Sequence, residues 1–188
     1  MEDIRIIDLF WQRNQEAIRQ AKERYGGYCY AIALNILQDR EDAAECENDT
    51  YLRAWESMPP DRPCRLRVYM GTITRRLALD RWRKAHADKR GGGQVTLSLA
   101  ELEECIPAGS NVEQTVESGE TARAISAFLR TLPPAESDLF LRRYWYLDSI
   151  QQIARRYGFS ESKVKMTLKR TRDKLRVCLE KEGILYET

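Results

Sequence analysis

The sequence has a single histidine, His86, and its five cysteines, Cys29, Cys46, Cys64, Cys105 and Cys178, are dispersed without one Cys-x-x-Cys pair. A tetrahedral zinc site needs closely spaced cysteine and histidine ligands, and a secreted disulfide scaffold needs an even, dense set of cysteines. Both are argued against, and reduced thiols in the cytosol are the expectation. No apolar run reaches the ~18 residues of a membrane span. The opening residues MEDIRIIDLFWQRNQEAI place acidic side chains at once and have no apolar core long enough for a signal peptide. The chain is therefore expected in the cytoplasm, with no membrane insertion. Also missing are a Ser/His/Asp set, a metal cluster and a phosphate loop: the glycines Gly91, Gly92 and Gly93 have no strand before them and no Gly-Lys-Ser or Gly-Lys-Thr after them. They read as a hinge. No enzymatic activity, no cofactor and no metal are expected.

What is present is charge, unevenly placed. Of the 188 residues 43% are hydrophobic and 32% charged, which suits a soluble globular chain, and the net charge of +2 says little about partners. The distribution says more. From Asp39 to Glu56 there are seven acidic residues against two basic, from Arg65 to Arg90 nine basic against two acidic, and from Ser160 to Arg176 seven basic against two acidic. Two basic surfaces fit a polyanion held at two places, and the acidic stretch is left for a protein partner.

Apolar residues recur at helical spacing throughout, so the expected fold is all-α: two small helical domains joined by a flexible acidic linker, with boundaries at 1–90, 91–120 and 121–183. Ile7, Phe10, Trp11 and Ile18 anchor the start, and the pattern resumes after Gly26-Gly27 in Tyr28, Ile32, Ala33, Ile36 and Leu37. Asp39 caps an acidic helix whose inward side takes Ala43, Cys46, Thr50, Tyr51, Leu52, Ala54 and Trp55. Its outward side takes Asp42, Glu45, Glu47, Asn48, Asp49 and Arg53. Glu45 and Asp49 stand one turn apart, but nothing in the sequence would bury them or complete a metal site, so a partner-binding face is the better use. The prolines of MPPDRPCR, Met58 to Arg65, stop that helix. The next helix should turn Val68, Tyr69, Ile73, Leu77, Ala78, Leu79 and Trp82 inward and Arg75, Arg76, Arg83 and Lys84 outward. Basic side chains interleaved with aromatics can neutralise phosphates and stack on unpaired bases. Between Val95 and Glu120 there is no basic residue. This linker is expected to hold one short helix around Leu99 to Cys105.

The second domain begins near Thr121 with the stripe Ala122, Ile125, Phe128, Leu129, a Pro133-Pro134 turn, and Leu139, Phe140, Tyr144 and Leu147. It ends in SIQQIARRYGFSESKVKMTLKRTRDKLR, Ser149 to Arg176. Ser149 and Gln152 form a capping box, and Ile150, Ile153, Ala154 and Tyr157 share one face of a short helix. Gly158 supplies a left-handed stop. Ser160 caps a longer helix with Val164, Leu168, Thr171 and Leu175 inward and Lys163, Lys165, Lys169, Arg170 and Arg172 on the remaining surface. A short helix, a tight turn and a basic helix make a helix-turn-helix, whose second helix can enter a DNA major groove.

Together these stretches resemble the extracytoplasmic-function (ECF) branch of the bacterial sigma-70 RNA polymerase sigma factors. DAAECENDTYLRAW resembles the family's polymerase-clamp helix, YMGTITRRLALDRWRK the helix that reads and opens the minus-ten element, and LPPAESDLFLRRYWYLDSIQQIARRYGFSESKVKMTLKRTRDKLR the domain that binds the minus-thirty-five element. The resemblance implies a transcription initiation factor that joins core RNA polymerase, directs it to promoter DNA and assists strand opening, and that an anti-sigma inhibitor can cover. It implies polymerase contact through Asp42, Glu45, Asn48, Asp49, Arg53 and Trp55. Minus-ten contact and melting would fall to Arg75, Arg76, Asp80, Arg83 and Lys84. Recognition-helix roles would fall to Ser160, Ser162, Lys163, Lys165, Met166, Lys169, Arg170 and Arg172. Asn48, Glu47, Arg76, Thr167 and Thr171 depart from the residue types usual in the family and bear on promoter choice and polymerase contact. The competing reading is a stand-alone helix-turn-helix regulator that occupies DNA without joining polymerase.

Overall fold

Helical periodicity leads to helices at every regular position of the computed structural model, which describes residues 2–86, 94–103 and 119–182. The expected glycine hinge at 91–93, Cys105, most of the acidic linker and the tail after residue 182 lie outside the described residues. The chain divides into two compact units, Met1–Arg90 and Gly91–Thr188.

The first unit holds α1 (Glu2–Trp11), α2 (Glu16–Leu37), α3 (Arg40–Ser57) and α4 (Leu66–His86). Helix α2 runs unbroken through Gly26-Gly27, and the interruption falls at residues 12–15 instead. Packing explains why a helix keeps a glycine here: a Cβ on Gly26 would stand 3.0 Å from Glu47 Oε1 and 3.4 Å from Tyr51 OH. The absent side chain leaves room against α2 for the Glu47 carboxylate and the Tyr51 hydroxyl of α3, set against a propensity cost of about 1 kcal/mol. Small residues Ala17, Ala21 and Cys29 continue that close face, and Ile6, Ile7, Phe10, Tyr51, Ala54, Met58, Leu66 and Met70 fill the core around it. Tyr25 OH donates to Asp3 Oδ1 at 2.5 Å and Arg24 Nε reaches the same carboxylate at 3.1 Å, pinning α1 to α2. Burial pushes the thiols of Cys29 and Cys46 up to about 11. Asp39 caps α3, accepting from the amides of Glu41 and Asp42 at 2.8 and 2.9 Å.

Two inward assignments are corrected. Leu52 is 58% exposed and Val68 is 51% exposed. In α4 the buried line is Leu66, Met70, Thr74 and Ala78, each four residues from the last. Thr74 lies in it because its hydroxyl is satisfied, donating to Met70 O at 2.9 Å and lying 3.0 Å from Thr50 Oγ1 of α3. A count of apolar residues alone misses a threonine in the line and turns the stripe toward Val68.

The second unit holds α5 (Gln94–Glu103), α6 (Gly119–Thr131), α7 (Pro134–Tyr144), α8 (Ile150–Tyr157) and α9 (Glu161–Lys181). The short helix expected around Leu99 to Cys105 overlaps α5, which begins earlier, at Gln94, and whose Leu102 packs against the core of this unit. Pro134 starts α7 at its first turn, where a missing N–H costs nothing. Phe128, Leu139, Phe140, Tyr144, Ile153, Val164, Leu168, Leu175 and Leu179 form the core. Between α7 and α8 the buried Leu147 takes φ 56, a left-handed conformation costing roughly 1–2 kcal/mol. The turn is closed by Asp148 N donating to Arg142 O at 2.9 Å. Among the described residues no helix is long and apolar enough to cross a membrane.

Candidate nucleic-acid and partner interfaces

The local chemistry of α8 and α9 sets their geometry. The amide of Gln152 donates to Ser149 Oγ at 3.0 Å, and the amide of Ser149 donates to Gln152 Oε1 at 2.6 Å, so two otherwise orphaned donors are satisfied reciprocally. Gly158 ends α8 at φ 64, and its amide donates to Ala154 O. Ser160 Oγ then accepts from the amide of Lys163 at 3.2 Å and begins α9. Val164, Leu168, Thr171 and Leu175 are buried in one line, as expected. The opposite face exposes Ser160, Ser162, Lys163, Lys165, Met166, Lys169 and Arg170. Lys163 Nζ lies 3.6 Å from the centroid of the Phe159 ring, which steadies it near the helix start. Met166 is 53% exposed, an apolar contact group among cations. Thr171 fits the core because its hydroxyl donates to Thr167 O at 2.9 Å, leaving only its methyl to pack.

Arg172 stands apart from that set. Its side chain is 15% exposed, and Nη1 donates to Tyr144 OH at 2.6 Å and lies 3.5 Å from Glu101 Oε2. The Glu101 carboxylate also takes Arg143 Nη2 at 2.9 Å, Arg143 Nε at 3.2 Å and Tyr144 OH at 3.1 Å. Arg143 is 2% exposed, and its Nη1 also reaches Asp148 O at 3.4 Å. Burial is the main reason the Tyr144 phenol is raised above its ordinary range; Glu101 pushes the same way and Arg172 the other. Neither Arg143 nor Glu101 was anticipated as important. A signal existed, since Arg143 occupies an inward place in the stripe Leu139, Phe140, Tyr144, Leu147, where a charge must have a partner.

On α3, Asp42, Glu45 and Asn48 are exposed, with Asp49 beside them. Arg81, reaching from α4, clasps two of these carboxylates: Nη1 lies 3.0 Å from Glu45 Oε2 and Nη2 2.5 Å from Asp49 Oδ2. Burial lowers the pKa of Arg81, but these hydrogen bonds outweigh it and the net shift is upward. Arg81 was not singled out from sequence; the signal was the unpaired look of a Glu45/Asp49 couple opposite a basic helix. Asn48 Oδ1 accepts from Lys22 Nζ at 3.1 Å, and Arg53 pairs with Glu56 at 2.9 Å. Trp55 is half-buried, edge-on to Phe10 at 6.3 Å, and Arg13 lies over its ring at 5.4 Å while donating to Trp55 O at 2.6 Å. Glu47 turns toward the space beside Gly26 and accepts from Tyr51 OH at 2.8 Å.

Along α4, Arg76, Asp80 and Lys84 are exposed and Arg75 is half-buried. Arg83 pairs with Asp80 at 3.7 Å. Tyr69 donates to Asp61 Oδ2 at 2.9 Å and meets Ser57 Oγ at 2.6 Å, so this ring holds the proline loop. Trp11 Nε1 donates to Asp61 O at 3.0 Å, and Arg62 lies over the Trp11 ring at 5.4 Å, tying the same loop to α1. Trp82 is half-buried. Among the described residues no group of three or more His, Cys, Asp or Glu could hold a metal ion.

Comparison with known proteins adds to this geometry. Residues 22–87, from α2 to α4, match the family profile of Sigma-70 region 2, and residues 128–177, from α6 to α9, match that of Sigma-70 region 4. Over 147 residues the chain is 29% identical to a protein described as "Probable RNA polymerase sigma factor RfaY" from Xanthomonas campestris pv. campestris. The aligned part is 78% of this chain and 36% of that relative, so the chain spans about a third of the relative's length.

Proposed function

We propose that this chain, which belongs to the sigma-70 family through its regions 2 and 4, is a transcription initiation factor of the ECF branch that carries core RNA polymerase to promoter DNA. The observation that carries the reading is the occurrence of both regions in one chain in this order. In the first unit the outward face of α3, with Asp42, Glu45, Asn48, Asp49 and Arg53, together with the half-buried Trp55, is the polymerase-binding surface. Helix α4, with Arg75, Arg76, Asp80, Arg83 and Lys84, engages the minus-ten element and captures bases as strands part. In the second unit the α8–α9 pair is a helix-turn-helix on the minus-thirty-five element. There Lys163, Lys165, Met166, Lys169 and Arg170 face the groove, and the Ser160 and Ser162 amides at the helix start favour a phosphate.

The functional division follows 1–90, 91–120 and 121–183, with α5 of the middle segment lent to the second unit. No covalent bond changes. Unstacking costs a few kcal/mol per step and is offset by charged contacts and base capture. An anti-sigma inhibitor is a further partner under this reading. The test is transcription in vitro with purified core polymerase and this protein as the specificity factor. Initiation at discrete start sites is expected. Tight DNA binding as a free dimer, without a polymerase complex, would overturn the reading in favour of a stand-alone regulator.

A further inference from the structure

We propose that Arg143, Tyr144 and Arg172 form a carboxylate-binding cradle on the second unit, that Glu101 of α5 fills it in cis, and that a DNA phosphate competes with Glu101 for Arg172. Three donor side chains from α7 and α9 converge on one carboxylate, at 2.9 and 3.2 Å from Arg143, 3.1 Å from Tyr144 and 3.5 Å from Arg172. The inner guanidinium of Arg143 is buried and bound to an anion. Arg172 is the outer member. Along α9 it lies between Lys169 and Arg176, three and four residues away on the same side and both exposed. A phosphate drawn to those cations comes within reach of Arg172, and taking it requires Glu101 to let go.

Helix α5 has ten residues, too few to be stable alone, and the Glu101 contacts, Leu102 packed on the core and the buried Ser98 hold it while Leu97 turns outward. Glu101 therefore holds Arg172 back from a phosphate in the wild-type chain, and removing that carboxylate makes the cation available to DNA. The inference rests on the reading that α9 binds DNA.

The test uses the full chain and a random-sequence duplex titrated over a salt series. Each phosphate neutralised adds about 0.9 to the steepness of log K against log salt. Glu101→Gln is expected to bind tighter at low salt, with a slope steeper by about 0.9, and adding Arg172→Gln should return it to the wild-type slope. Arg172→Gln alone should leave the wild-type slope unchanged, and this arm decides the matter if Glu101→Gln does not fold. An unchanged or shallower slope for a folded Glu101→Gln chain, or a loss of about 0.9 for Arg172→Gln alone, would overturn the competition. Amide hydrogen exchange separates the two ideas. With the cradle in place, α5 exchanges at least about tenfold faster in Glu101→Gln while α6 to α9 stay protected; equal exchange overturns the cradle. Absence of duplex binding by the wild type overturns the DNA reading and the competition, and leaves the cradle to be judged by exchange.

Discussion

The two units handle inter-helix charge in opposite ways. In the first, Arg81 meets Glu45 and Asp49 at the rim, and a neutral Thr50–Thr74 pair lies inside. In the second, Arg143 is taken into the interior with Glu101 as its counter-ion. A rim pair in high dielectric contributes at most about 1 kcal/mol and can be exchanged for a partner's charge at little cost, whereas a buried guanidinium commits the fold to an anion. The first arrangement suits the surface proposed to meet a protein partner, and the second fixes a domain around the anion that fills one site.

The sharpest way to break this contrast is a matched pair of arginine deletions. Arg143→Ala should cost about 3–5 kcal/mol in urea unfolding, concentrated in α6 to α9, because it removes one partner of a buried pair; a loss under about 1 kcal/mol would put the units on the same footing. Next in size, Ser149→Ala removes the side-chain half of the capping box and should cost about 1 kcal/mol, seen as faster amide exchange at the start of α8. Arg81→Ala should cost less than about 1 kcal/mol while leaving the negative charge of Glu45 and Asp49 uncompensated. A larger loss would mean the α3–α4 contact depends on that clasp. Smallest in its effect on stability is thiol modification at pH 8. Cys64, which is exposed, should react before Cys29 and Cys46, which are buried and raised to about 11 and should stay unmodified until the first unit unfolds.

The same contrast explains what was legible beforehand. The α8–α9 pair is legible nearly residue by residue, because both helices carry their own local signals: the Ser149/Gln152 box, Gly158 in the left-handed region, Ser160, and one apolar line through Leu175. Helices packed on several sides blur the stripe, which is how Val68 and Leu52 were placed inward and Thr74 was overlooked. Gly26-Gly27 read as a weak point because the reason for a glycine, the approach of Glu47 and Tyr51, lies on another helix. For the interfaces, the exposed cations of α9 and the outward carboxylates of α3 were accessible from charge and periodicity. What escaped was pairing at long sequence separation, Arg81 with Asp49 and Arg172 with Glu101, since neither partner carries a local mark of the other.

The central claim is a division of labour: α3 for polymerase, α9 for duplex DNA. The most direct measurement is to take Asp49→Lys and Lys165→Ala chains and determine for each the affinity for core polymerase and, separately, for a duplex that the wild type binds. The account predicts that Asp49→Lys loses polymerase affinity by tenfold or more, roughly 1.4 kcal/mol, and keeps its duplex affinity, while Lys165→Ala does the reverse. Equal loss of both affinities in each folded variant would contradict it.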